Sequence, residues 1–120
     1  MNYIDFEGNL VSAAKNRRFV TGVEFTTWGR DVIDCNSFEV EAGTTGYKGG
    51  DTGHGGRTYF RIEDLCCTDI SINVISNKTG INGVEIRLGG DTELRTFIEA
   101  LKWTLSVLEA QSADECMSDD

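Results

Sequence analysis

The hydrophobic spacing along this 120-residue chain changes once, at Leu88, from every second residue to every third or fourth. A period of two puts alternate side chains on one face of a strand, whereas recurrence at three- and four-residue steps needs a helix. Strands followed by a helix therefore bound the fold. Phe19, Val23 and Phe25 share one parity of a strand read over Arg17 to Thr27, with Glu24 and Thr26 on the other. Phe38, Val40 and Ala42 alternate with Glu39 and Glu41, two acids that read as a solvated face. Thr58, Phe60 and Ile62 form a third run, Ile70, Ile72 and Val74 a fourth, and Val84, Ile86 and Leu88 a fifth. Asn77-Lys78-Thr79-Gly80 and Asn82-Gly83 tolerate positive φ, as a hairpin between the fourth and fifth runs requires.

Past Leu88, Gly89-Gly90 ends the strand, and Asp91 is expected as the N-cap, with Glu93 in the first turn where the helix dipole favours an anion. Leu94, Phe97, Ile98, Leu101, Leu105 and Leu108 then form a stripe that is expected to lie on an apolar sheet face. Trp103 and Val107 sit beside it as a widened core contact. Part of so broad a stripe has a second copy of the chain as an alternative cover. The first sixteen residues read as a strand and then a helical turn. The expected class is α+β: an antiparallel sheet of about five to six strands with one long C-terminal amphipathic helix packed on it. Residues 1–111 form a single domain, and the acidic stretch 112–120 reads as a disordered tail.

Eleven Lys plus Arg against twenty Asp plus Glu give a net charge of −9. Affinity for nucleic acid or an anionic membrane comes from an excess of cations, so neither is an expected partner. The acidic start Asn2-Tyr3-Ile4-Asp5-Phe6-Glu7 does not read as a secretory leader, and no apolar run approaches the roughly twenty residues that span a bilayer. A soluble, cytosolic protein is expected. Its cysteines, Cys35, Cys66, Cys67 and Cys116, read as reduced thiols, because neighbours in sequence bridge only with strain.

Seven of fourteen glycines fall between Gly43 and Gly56. Glycine lets a ligand approach main-chain N–H groups and permits the turns that aim them inward, a geometry suited to phosphate oxygens. Lys48, His54 and Arg57 add local positive charge, and Thr44, Thr45, Thr52 and Thr58 add hydroxyls. Tyr47 and Trp28 offer faces for a base, with Arg30 beside Trp28 to hold a phosphate. The ligand-binding set is therefore Arg57, His54, Lys48, Thr45, Tyr47, Thr58, Trp28 and Arg30. No Walker or Rossmann spacing occurs, the Cys and His spacings match no zinc pattern, and no Gly-x-Ser-x-Gly elbow is present. No metal, no cofactor and no catalytic residue is expected.

The stretch Glu39-Val-Glu-Ala-Gly-Thr-Thr-Gly-Tyr-Lys-Gly-Gly-Asp-Thr-Gly-His-Gly-Gly-Arg-Thr-Tyr-Phe, followed by Gly89-Gly-Asp-Thr-Glu-Leu-Arg-Thr-Phe-Ile-Glu-Ala-Leu, resembles the first-described Thoeris anti-defence family in size and in its layout of strands, then helix. The resemblance implies a phage protein that is a non-catalytic sponge, sequestering a cyclic ADP-ribose isomer made by a bacterial TIR-domain enzyme. It also implies symmetric dimers that assemble further, with nucleotides between subunits and cyclic oligonucleotides among the ligands. The binding residues above rest on their chemistry alone. The rival reading is an acidic inhibitor of anti-CRISPR type that occupies the nucleic-acid channel of a nuclease.

Overall fold

The computed structural model describes residues 13–49 and 55–118. The chain first reverses at Thr21-Gly22, where φ values of 48° and 81° make a two-residue turn. It joins β1 (Ala14–Val20) to β2 (Val23–Ile33), which pair antiparallel. The single strand expected over Arg17 to Thr27 is thus a hairpin. Phe19 lies opposite Glu24 and is 74% exposed, while Phe25 lies opposite Arg18 and is buried. Of the strand and helical turn expected over the first sixteen residues, only residues 13–16 are described, and Ala14, Lys15 and Asn16 lie in β1.

Strands β3 (Ser37–Thr44) and β4 (Thr58–Cys66) complete a four-stranded sheet in the order β1-β2-β3-β4. Gly43 is required where β3 crosses β2, because a Cβ there would run into the Thr26 carbonyl oxygen and sit 2.9 Å from Thr27 Cγ2. Strands β5 (Ile70–Asn77) and β6 (Gly80–Leu88) form a separate two-stranded arm. Its turn follows from the residues in it: Asn77 Oδ1 accepts the Thr79 N–H at 2.8 Å, and Gly80 adopts φ 114°.

The helix α1 runs Asp91–Ser118. Gly90, at φ 111°, accepts the first helical hydrogen bond from Leu94 N–H, so it takes the N-cap place expected of Asp91. Glu93 ties the junction together: Oε2 accepts the Asp69 N–H at 3.2 Å and Oε1 accepts the Thr92 hydroxyl at 2.9 Å. Those donors hold its carboxyl below the usual range, with the Asp69 N–H the largest cause.

The core forms where α1 crosses the sheet. Val32 of β2 and Phe38, Val40 and Ala42 of β3 meet Ala100, Trp103 and Val107. The helix is therefore rotated from the face expected of it. Leu94, Ile98, Leu101 and Leu105 are 60%, 44%, 48% and 56% exposed, whereas Trp103 is wholly buried. One cause is polar: Arg30 on the helix side of β2 binds Glu99 at 2.7 Å, and Asn36 Nδ2 donates to Thr96 Oγ1 at 3.1 Å. These bonds turn Thr96 and Glu99 inward and the leucine row outward. On the opposite sheet face Glu41, expected to be solvated, is buried and takes two bonds from Arg18 and one from Thr27 Oγ1. The Arg18 guanidinium holds its carboxyl below the ordinary value.

Among the described residues no helix is long and apolar enough to cross a membrane.

Candidate functional site: a cleft between the glycine-rich loop and the helix

The last pair of the β3–β4 ladder, Thr44 opposite Thr58, opens directly into the glycine-rich loop. Period two points both side chains to the helix side of the sheet, and their hydroxyls lie 3.0 Å apart. Beyond them the loop neck is closed by main-chain bonds. Thr45 N–H donates to the Arg57 carbonyl at 2.9 Å, and Arg57 N–H donates to Thr45 Oγ1 at 2.9 Å. Thr44 Oγ1 also accepts the Gly46 N–H at 3.1 Å. Gly56 is indispensable here, because a Cβ would collide with the Gly46 carbonyl.

The helix completes the site from the other side. Gln111 clamps it to the sheet end: Oε1 accepts the Thr44 N–H at 2.7 Å, and Nε2 donates to the Thr26 carbonyl at 2.9 Å. Leu105, Leu108, Glu109 and Ser112 then face Thr44, Gly46, Tyr47, Gly56 and Thr58 across a cleft of about 440 Å³. That volume lies within the ~300–1,000 Å³ of small-molecule sites. Its walls are divided by chemistry. Four hydroxyls and a glycine backbone offer hydrogen bonds, two leucines make an apolar floor, and the Tyr47 ring, 64% exposed, stands at the mouth. Glu109 supplies a single carboxylate.

The expected ligand-binding residues divide between this cleft and other places. Tyr47 and Thr58 line it. Thr45 braces the neck behind it through its bonds to Arg57. Arg57 adopts a different role from the one expected, for its Nη1 donates to the Gly55 carbonyl at 2.9 Å and the Gly56 carbonyl at 3.3 Å. It stiffens the loop. Lys48 lies on the exposed loop beyond the lining, and His54 falls outside the described residues. Arg30 and Trp28 lie apart from the cleft, on the sheet beneath the helix. Arg30, 8% exposed, is committed to Glu99 and lies 5.9 Å from the centre of the Trp103 ring, and the Trp28 carbonyl accepts Trp103 Nε1–H at 3.4 Å. Both are parts of the packing.

Leu105, Leu108, Glu109 and Ser112 were the residues that reading by residue type missed. Their spacing of three, one and three puts them on one helical face, but the expected core stripe absorbed the two leucines and the expected tail absorbed Ser112.

Cys66 and Cys67 hold their sulfurs 2.9 Å apart, and sharing a hydrogen bond with Cys66 pushes the Cys67 thiol up, away from the thiolate. Among the described residues no cluster of His, Cys, Asp or Glu is suited to a metal ion. Comparison with protein-family models, with curated proteins and with solved structures returns no match to this chain.

Proposed function

We propose that the chain captures a cyclic nucleotide in the cleft between its glycine-rich loop and helix and releases it unchanged. The observation that carries this reading is the convergence of Tyr47, Thr44, Thr58 and the glycine backbone on a concavity floored by Leu105 and Leu108. A base stacks on an aromatic face without needing charge, and hydroxyls hold phosphate oxygens. Glu109 suits an exocyclic amine or a ribose hydroxyl, and its negative charge repels an inorganic phosphate dianion. The neck is braced before a ligand arrives, so less ordering is required on binding.

With the resemblance described above, capture without turnover makes the protein a phage anti-defence sponge acting in the host cytoplasm as a homodimer or larger assembly, its ligand a cyclic ADP-ribose isomer or a cyclic oligonucleotide. The acidic-inhibitor reading has less support. Arg17, Arg61, Arg87 and Arg95 each hold a carboxylate at the surface of the same chain, which interrupts the negative surface a nuclease channel would need.

Calorimetric titration with cyclic ADP-ribose isomers and cyclic dinucleotides tests this. The expected result is saturable binding by at least one of them, weakened roughly 5- to 150-fold by Tyr47→Ala, which corresponds to the ~1–3 kcal/mol of one stacked base. Binding that Tyr47→Ala leaves untouched, or no binding by any of them, overturns the assignment of the cleft.

A further inference from the structure

The β5–β6 arm has one face made wholly of apolar side chains. Ile70, Ile72 and Val74 lie opposite Leu88, Ile86 and Val84, and all six share a side of the ribbon. The other side carries Ser71, Asn73, Glu85 and Arg87, with Ile75 near the tip. Only the base of the apolar face is covered, where Leu88 packs against the core. Farther out Ile72, Val74 and Val84 are 49%, 65% and 59% exposed. Neither the four-stranded sheet nor the helix packs extensively across the arm. A lone hairpin is at best marginally stable in water, so such a face needs a covering layer.

The second uncovered surface is the outward row of the helix, Leu94, Ile98, Leu101 and Leu105. From Leu94 to Leu105 it runs ~17 Å at 1.5 Å per residue. From Ile70 to Val74 the arm face runs ~13 Å at about 3.3 Å per residue, a comparable length. Within one chain the arm does not pack along that row. The radius of gyration is 15.8 Å, against ~14 Å for a compact chain of this length, and the principal extents are 43, 43 and 21 Å.

We infer that the occupant of both surfaces is a second copy of this chain, each arm laying its apolar face on the partner's helix row across a two-fold axis. Area supports that choice. Scaled by the size of the side chains, the exposures on arm and row amount to apolar surface on the order of 700 Å² per chain, close to the ~800 Å² per partner of a standard stable interface. The contact is self-complementary, so it closes at two copies. Each helix would then lie between its own sheet and its partner's arm. Leu105 belongs both to the row and to the cleft lining, so the partner's arm would also wall one edge of the cleft. This assigns a surface to the assembly proposed above, and it is tested without any ligand, so its failure leaves nucleotide capture standing.

The test is sedimentation equilibrium of the full chain. The wild type is expected to be dimeric, and more tightly so in 1 M than in 0.05 M NaCl, because salt screens repulsion between two chains of charge −9 and strengthens apolar burial. Leu101→Lys and Val74→Glu should each give a monomer whose circular dichroism matches the wild type. Mixing the two variants should restore a dimer, since one arm–row contact is then wild type and the other pairs Glu with Lys. A monomeric wild type, variants that stay dimeric, or a mixture that stays monomeric would each overturn the inference. Should either variant be unfolded by circular dichroism, Ile98→Lys on the row or Val84→Glu on the arm takes its place and is read in the same way.

Discussion

Replacing Arg30 separates two roles for this residue. The chemistry of Trp28-Gly29-Arg30 suggests a phosphate contact, and a surface arginine of that kind is removable at little cost to stability. The structure puts Arg30 against Glu99 at 2.7 Å, with the two side chains 8% and 1% exposed. Glu99 Oε1 has no hydrogen-bond partner among the described residues, so Arg30 is the main compensation for a buried carboxylate. Removing one member of such a pair costs about 3–5 kcal/mol, because the other is left charged and unpaired. Loss of the guanidinium near the Trp103 ring adds in the same direction, by ~0.5–2 kcal/mol. Against a total stability of ~5–15 kcal/mol, Arg30→Ala should be severely destabilised. Replacing both partners with apolar residues of similar volume, Arg30→Met with Glu99→Leu, should recover most of that loss. Urea denaturation of the wild type, Arg30→Met, Glu99→Leu and the double variant closes the cycle, and the double variant is expected to be more stable than either single one. An Arg30→Ala variant within about 1 kcal/mol of the wild type would refute the buried-pair argument and return Arg30 to the list of candidate ligand residues.

Glu41 gives a pH signature. Its carboxyl is held below the ordinary value by Arg18, so its contribution is complete above the unfolded pKa of ~4.3 and is lost as pH falls through the lower folded value; the stability gap between wild type and Glu41→Gln should shrink between pH 7 and pH 3 in urea titrations. Trp103→Ala empties the centre of the helix–sheet contact and should cost about 3–5 kcal/mol by the same method. Gly43→Ala forces a Cβ into the β2 backbone and should cost ~1–3 kcal/mol, whereas Gly22→Ala meets open space and suffers only the strain of its positive φ. Gly56→Ala should distort the loop neck and weaken nucleotide binding in calorimetry with little change in the melting of the sheet, since its clash is confined to Gly46.

The class of fold was legible because period two and the three- and four-residue period survive any ambiguity of register. The arm was legible for a local reason: Asn77 and Gly80 supply the turn from their own side chain and φ. What could not be read was which apolar surface faces inward. The helix carries two apolar faces, and its hydrophobic pattern favours the leucine row. The orientation is decided by Arg30 with Glu99 and Asn36 with Thr96, polar pairs that join residues more than fifty positions apart. The hairpin at Thr21-Gly22 was missed because Thr21 adopts a positive φ, which period counting does not detect. At the site, the loop was visible through its glycines. Its opposite wall was not, for Leu105 and Leu108 look like any core leucine until the helix is rotated, and Gln111 is noticed only once Thr44 and Thr26 lie beside it.

Release of ligand from the complex tests the capture model most directly. The protein is incubated with cyclic ADP-ribose isomers and cyclic dinucleotides, desalted, denatured by heat and analysed by chromatography and mass spectrometry. Retention of one nucleotide and its quantitative recovery in intact cyclic form is the predicted result. Recovery of a linearised or hydrolysed product, or of no nucleotide at all, would contradict it.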